Sequence, residues 1–165
     1  MLSVLQKNIY DCHTYTHFFH DSECDLQDSL KVATEKGLAG FAITDHCDIE
    51  FYKEKDVKTP IKQSADCAHK MGGGVLAGVE IGEDFWHKKE TNDVIAESDF
   101  DIVLGSVHAV RYKNYTMPFS GIDFSVFTQS EIDEYLDIYF DDMLGMVKTT
   151  DFDVLMHLTC TLKYI

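Results

Sequence analysis

Five short apolar segments of the chain each run into a residue whose side chain can bind a metal ion. The five residues are His13, His46, Glu80, His108 and His157. Imidazole nitrogens and carboxylate oxygens are ligands of divalent zinc, manganese and iron. An ion held in this way lowers the pKa of bound water and polarises a phosphoryl or carbonyl oxygen, so the residue types predict hydrolytic chemistry. A single histidine after a strand is more often a structural residue, and the hypothesis depends on all five occurring together.

An alternation of strands and helices would bring these residues together. Between the apolar segments the chain is polar or has helical periodicity, which is typical of a parallel α/β protein. The carboxyl ends of all the strands of a parallel α/β barrel open onto one face, so we expect one shared site. The apolar segments are 8–10, 38–44, 75–79, 100–107 and 152–156.

Two helices are predicted with their ends. The first runs from Leu26 towards Gly37, a residue suited to the left-handed conformation that ends a helix. The second begins at Thr128, which a glutamate follows at the capping-box spacing. The polar stretch 52–70 is predicted as loop plus helix, and 112–127 as a long aromatic-rich loop.

Other polar residues near these segments receive weaker assignments. Asp45 directly precedes His46, and we interpret it either as a helix N-cap or as a partner that orients the imidazole. His69 lies in a polar segment and His87 lies beside Trp86. Both are expected at the surface, without a role in the chemistry.

Composition and charge exclude several classes of protein. The chain has 165 residues, 45% of them apolar, which is enough for one folded domain with a core. Its 29 acidic residues against 14 basic ones give a net charge of −15, which argues against nucleic-acid partners and anionic membranes. No apolar stretch reaches the length of a membrane span. A phosphorylated substrate is compatible with this charge if metal ions in a pocket supply the positive charge.

The cysteines predict a reducing compartment. All five are widely spaced, and no Cys-x-x-Cys pair is present. This pattern disfavours a disulfide scaffold and a zinc ribbon, and nothing at the start of the chain resembles a signal peptide. We therefore expect a cytoplasmic protein.

Five motifs resemble, in order and spacing, those of the polymerase-and-histidinol-phosphatase (PHP) domain. The motif Gly-Ser-Val-His and the final His-Leu run, which Lys163 and Tyr164 follow, are particularly similar to the histidinol-phosphatase branch. The motifs lie at 11–22, 43–46, 78–80, 105–108 and 154–158, so the resemblance extends along nearly the whole chain.

The resemblance implies an α/β fold, a PHP-type distorted (β/α)7 TIM-like barrel, with residues 1–165 forming a single domain. A closed eight-fold barrel typically needs about 250 residues, and the Gly-Ser-Asp-x-His motif that ends the family's site is missing from this sequence. We therefore expect a truncated barrel, its N-terminal portion, without the last strands and helices. An open barrel edge would favour a homodimer.

The resemblance also implies up to three divalent metal ions, zinc, manganese or iron, around four catalytic residues: His13, Glu80, His108 and His157. Lys163 stands where the branch usually has an arginine that grips the substrate phosphate, and it supplies the charge without the planar geometry. The implied ligand sets are His13 with Glu80, then Glu80 with His108 and His157, then Asp21 with His46.

Departures from the family pattern reduce the expected number of ions. Tyr15 occupies the place of the second histidine of the family's His-x-His motif, and a protonated phenol is a poor ligand. His17, two residues further on, is a possible substitute ligand if the loop is extended. Thr159 stands where the branch usually carries an aspartate. We predict fewer than three ions.

The leading hypothesis for function is a metal-dependent phosphomonoester hydrolase that resembles the histidinol-phosphatases of histidine biosynthesis. In such an enzyme, metal-activated water would attack the phosphate of a small phosphorylated metabolite. The alternative is a catalytically inactive PHP remnant or fragment that still binds metal through Glu80, His108 and His157. A third reading is that these residues form part of a longer gene product, which is active only at full length.

Overall fold

The computed structural model describes residues 9–19, 22–51 and 56–165. Within these ranges the chain forms six strands and four α-helices, with short 3-10 helices in the connections. In chain order they are β1 (Tyr10–Thr14), α1 (Leu26–Glu35), β2 (Gly40–Ile43), β3 (His46–Cys47), α2 (Lys58–Met71), β4 (Val75–Gly82), α3 (Lys88–Ile95), β5 (Ile102–Ser106), α4 (Gln129–Thr149) and β6 (Val154–Leu155).

The strands form one curled parallel sheet. Their order is β1-β2-β4-β5-β6, and β3 pairs with β4 off this path. In a flat sheet β1 and β6 would lie four strand spacings apart, about 19 Å. The rings of His13 in β1 and His157 just after β6 nevertheless have centroids 5.3 Å apart. The sheet therefore curls into a half-barrel, which confirms the predicted α/β class, while the count of seven units stays a prediction.

The strand ends differ from the sequence prediction. His13 and Glu80 lie inside β1 and β4 instead of following them, and His46 begins a separate strand, β3. The reason is the hydrogen-bond ladder, since His46 pairs with Glu80, and Cys47 with Ile81, as β3 continues beside β4. Backbone pairing, and not the end of an apolar run, decides where a strand ends.

The two predicted helix ends are confirmed. Gly37 follows α1 with a φ of 70°, and Thr128 caps α4 through a capping box with Glu131. The polar stretch forms α2, as predicted, and no helix in the described ranges is long and apolar enough to cross a membrane.

The core beneath the site is aromatic. The buried face of α4 packs on the segment 107–127, whose rings include Phe119 and Phe124. The predicted long loop is therefore a packed layer, with 3-10 helices at Phe119–Gly121 and Phe124–Val126. A second apolar cluster lies between the sheet and α2 and α3, and it contains Cys47, Ile61, Val79, Ile81 and Val94.

The two edge strands of the half-barrel carry exposed apolar side chains. Tyr10 of β1 and Val154 of β6 are both exposed. Such edges are potential pairing surfaces. The homodimer expected from the sequence stays a prediction.

We expect Thr128→Ala to lower the free energy of unfolding by about 1 kcal/mol, because α4 loses its capping box. The Thr128 hydroxyl accepts from the Glu131 amide at 3.3 Å, and the Thr128 amide donates to the Glu131 carboxylate at 2.8 Å. Urea denaturation followed by circular dichroism measures the change.

Ser130→Ala is the matched control for this prediction, since Ser130 is exposed in the first turn of the same helix. Alanine has the higher helix propensity, so this variant should be neutral or slightly stabilised. Equal losses in both variants would contradict the capping argument.

Candidate metal centre

The centre is built around Glu80, whose side chain is fully buried in β4. Its Oε1 accepts hydrogen bonds from Nε2 of His108 at 3.1 Å and Nε2 of His157 at 3.0 Å. Its Oε2 accepts from the Tyr15 hydroxyl at 2.9 Å. A carboxylate in the interior requires such partners, because an unpaired buried charge is strongly destabilising.

Two further imidazoles approach the same carboxylate. Nδ1 of His46 lies 3.3 Å and Nε2 of His13 lies 3.7 Å from Oε2 of Glu80. The histidine rings also contact one another, with centroids 4.8 Å apart for His46 and His108 and 5.7 Å apart for His108 and His157. The fold thus gathers all five residues that the apolar segments pointed to.

Among the described residues, the side chains form two sets that could each hold an ion, with ligand atoms within 4.8 Å of one another. We call His13, Glu80 and His157 the first group, and His46, Asp48 and His108 the second group. Each offers two imidazoles and one carboxylate, an arrangement that leaves positions open on the metal. The donor chemistry therefore fits zinc, manganese or iron.

Asp48 is a candidate ligand that the sequence reasoning missed. Its Oδ1 lies 3.1 Å from Nδ1 of His108, and its Oδ2 lies 3.4 Å from Nδ1 of His46. The sequence does contain a signal for this role, since Asp48 follows His46 by two residues and comes directly after the two-residue strand β3. Gly82 allows this approach, because a Cβ there would lie 2.0 Å from Oδ1 of Asp48.

The buried carboxylate of Glu83 positions the backbone of His108. No feature of the sequence pointed to Glu83. It is 2% exposed, and one carboxylate oxygen accepts from the backbone amides of His108 and of Ala109, the latter at 2.8 Å. Burial, followed by the negative charge of Asp48, raises the pKa of Glu83. The Glu83 backbone is left-handed, with a φ of 37°.

His157 is held in a strained conformation. Its φ of 56° lies in the left-handed region, which few residues other than glycine adopt. Tyr139 of α4 donates a hydrogen bond to the His157 carbonyl at 2.6 Å. The contact ties α4 to the end of β6 and fixes where the imidazole points.

Electrostatics in the cluster favour an ionised Glu80. Burial alone would raise the pKa of Glu80, but the hydrogen bonds from His108 and His157 outweigh it, and the pKa is lowered. Burial likewise would lower the pKa of His108, but the carboxylates of Asp48 and Glu80 raise it well above the usual value. For His13 burial is the largest effect, and its pKa is lowered.

Two predicted site residues, His17 and Lys163, do not belong to the ligand cluster. His17 is exposed, with Nδ1 3.4 Å from the Cys24 carbonyl, and the structure does not bring it to the cluster. Lys163 is exposed beside the ring of Tyr164. Asp21 lies outside the described residues.

Two expectations about neighbouring residues need correction. Asp45 is not a helix N-cap, since β3 follows it directly; it accepts from the amide and the hydroxyl of Thr16, both at 2.7 Å. His87 is not a bare surface residue, because it is half-buried and pairs with Glu50. His69 is exposed on α2, as expected.

A cavity of about 460 Å³ opens above the cluster. Such a volume suits a small-molecule site. The described residues that line it include no lysine and no arginine. They are Tyr15, Phe19, His46, Asp48, His108, Pro118, Phe119, Ser120, His157, Cys160 and Tyr164.

A curled parallel α/β sheet that gathers histidines and carboxylates around one buried glutamate defines the class of this protein, a barrel-type fold with a metal-ligand cluster on one face. The chain belongs to the PHP domain family, whose sequence profile matches residues 11–164. The resemblance found in the motifs is thereby confirmed.

Two relatives illustrate the similarity. A Clostridium acetobutylicum protein named probable histidinol-phosphatase is 26% identical over 161 residues, which cover 94% of this chain and 59% of that protein. The crystal structure of histidinol phosphate phosphatase from Lactococcus lactis, complexed with zinc, L-histidinol and phosphate, matches with a TM-score of 0.72 at 24% identity. The match covers 96% of this chain and 60% of that one, and it shows the shared fold. The chain thus spans about three-fifths of the length of these relatives.

We expect Tyr139→Phe to lower the free energy of unfolding by about 1 kcal/mol, because the His157 carbonyl loses a buried hydrogen bond. Tyr135→Phe is the matched control. Both tyrosines are fully buried on α4, but the Tyr135 hydroxyl has no hydrogen-bond partner among the described residues. Chemical denaturation should show no loss for the control, and equal losses would refute this role of Tyr139.

We expect Gly82→Ala to weaken zinc binding at least about tenfold, because the added methyl group displaces Asp48 from His108. Competition with a chromophoric chelator measures the affinity. Gly145→Ala in α4 is the control, since a Cβ there meets no atom within 4 Å. It should leave zinc affinity unchanged and stabilise the helix by about 0.5–1 kcal/mol.

Proposed function

We propose that this chain is a metal-dependent phosphomonoester hydrolase that resembles histidinol-phosphatase. The observation that carries the proposal is the burial of Glu80 among four histidines beneath an open cavity. Membership of the PHP family and the relatives named as histidinol-phosphatases support the same reaction. Since the Lactococcus lactis enzyme is complexed with L-histidinol and phosphate, we propose a small phosphorylated metabolite of that kind as the substrate.

In the proposed reaction, Glu80 and His157 have different roles beside the metal ion. When bound, a divalent ion would lower the pKa of water and offset the negative charge of the phosphate. Glu80 holds His108 and His157 through its Oε1, which fixes the direction of both imidazoles. His157 is about a quarter exposed, at 27%, and it lines the cavity, so it can hold a proton next to a bound phosphate.

The cavity fits a compact substrate with a flat ring. Phe119 and Tyr164 lie on its wall, with ring centroids 5.5 Å apart, and the Ser120 side chain lies beside them. Aromatic walls favour stacking of an imidazole such as that of histidinol. The described lining has no lysine or arginine, so among these residues the histidines would meet the phosphate charge together with a bound metal ion. The net charge of −15 disfavours a polynucleotide substrate.

The test is phosphate release from histidinol phosphate and from an aryl phosphate, with zinc or manganese added. The wild-type chain should turn over at least the first substrate, and a chelator should abolish the turnover. His157→Ala should lower kcat/KM at least about a hundredfold, since it removes one member of the centre.

His69→Ala serves as the matched control, because this histidine is exposed on α2. It should leave kcat/KM unchanged. Turnover that survives His157→Ala would contradict the assignment of the site.

A second candidate function is that of an inactive metal-binding protein. The observation that favours it is the position of the Tyr15 hydroxyl, which bonds Glu80 and lies 2.8 Å from Nε2 of His13. Zinc binding without phosphate release from either substrate would support this candidate over the phosphatase.

A further inference from the structure

Tyr15 is inserted into the first group of ligands. Its hydroxyl lies 2.8 Å from Nε2 of His13 and donates to Oε2 of Glu80 at 2.9 Å. Its ring stacks on the imidazole of His46, with centroids 4.8 Å apart and an angle of 15° between the planes. The hydroxyl is thus bonded to two of the three residues that would hold an ion there.

The Tyr15 hydroxyl occupies the space between two ligand atoms of the first group. A phenol has one hydrogen, and Tyr15 gives it to the Glu80 carboxylate. The phenol oxygen also lies 2.8 Å from Nε2 of His13, and Nδ1 of the same ring lies 2.9 Å from the Thr44 hydroxyl oxygen. Nε2 of His13 and Oε2 of Glu80 are only 3.7 Å apart, so the hydroxyl that bonds to both takes the space that an ion at the first group would need.

The second group has a complete ligand set of its own. Oδ1 and Oδ2 of Asp48 face His108 and His46, at 3.1 and 3.4 Å. His13 and Glu80, which the Tyr15 hydroxyl bonds, do not belong to this group. Two imidazoles and a carboxylate suffice for one divalent ion with open positions.

We propose that Tyr15 limits the described ligands of this centre to one metal ion, held by the second group, because its hydroxyl takes the place of an ion at the first group. This inference rests on the metal dependence in the proposed function, but not on turnover. Tyr15 therefore determines the number of ions in the centre.

The experiment is a count of zinc per chain. The protein is stripped with a chelator, loaded with excess zinc, desalted and measured by elemental analysis. The wild type should hold about one zinc and Tyr15→Phe about two, a twofold rise. Phenylalanine keeps the ring on His46 and removes the hydroxyl, so the fold should survive, as circular dichroism checks.

Three control variants assign the ions to their groups. His13→Ala in the Tyr15→Phe background should return the count to about one. Asp48→Asn in the wild-type background should reduce it towards zero. Tyr112→Phe is the matched control, since it removes a tyrosine–carboxylate hydrogen bond of 2.8 Å, to Glu134, outside the centre; it should leave the count unchanged.

Manganese loading gives a second readout. Electron paramagnetic resonance should show an isolated Mn(II) in the wild type and an exchange-coupled pair in Tyr15→Phe. A wild type with two ions would overturn the proposal, and so would a Tyr15→Phe variant that binds less zinc than the wild type, which would make the phenol a ligand. A protein with one zinc and no phosphatase activity would refute the proposed function while supporting this inference.

Discussion

The structure depends on one constraint, the burial of the Glu80 carboxylate in the central strand β4. A charge without water must have partners, and here the partners are imidazoles from strands at both ends of the sheet order, the Tyr15 phenol and the Ser106 hydroxyl. His13 of β1 and His157 after β6 both contact this carboxylate, so the two ends of the sheet must lie close together, which requires the sheet to curl. Imidazoles are also metal ligands, so the histidines that stabilise the buried carboxylate also form the candidate metal centre.

A supporting layer holds the cluster in place. Glu83 fixes the backbone at His108, Tyr139 fixes the backbone at His157, and Asp48 reaches His108 where Gly82 leaves space. Strained backbone at Glu83 and His157 is concentrated in this layer. Such strain persists only where surrounding contacts enforce it, which is a frequent property of functional sites.

Much of this arrangement could be predicted from local signals. The caps of α1 and α4 follow from Gly37 and Thr128, and the five ligand candidates follow from polar residues at or near the ends of apolar segments. Asp48 and Glu83 could not be found in this way, because their roles arise from contacts with His108, which lies 60 and 25 residues away in sequence. His87 was assigned to the surface for the same reason, since its partner Glu50 is 37 residues away.

The sequence by itself determined the residue types, their order and the parallel α/β alternation, because periodicity and capping act over a few residues. It also marked Tyr15 as unusual. Only the tertiary structure decided what that tyrosine does, since its hydroxyl meets Glu80 across 65 positions of sequence. It likewise decided that the ligands divide into two groups, with His108 beside Asp48. Such groupings depend on strand register and sheet curvature, and these are set by the packing of the whole chain.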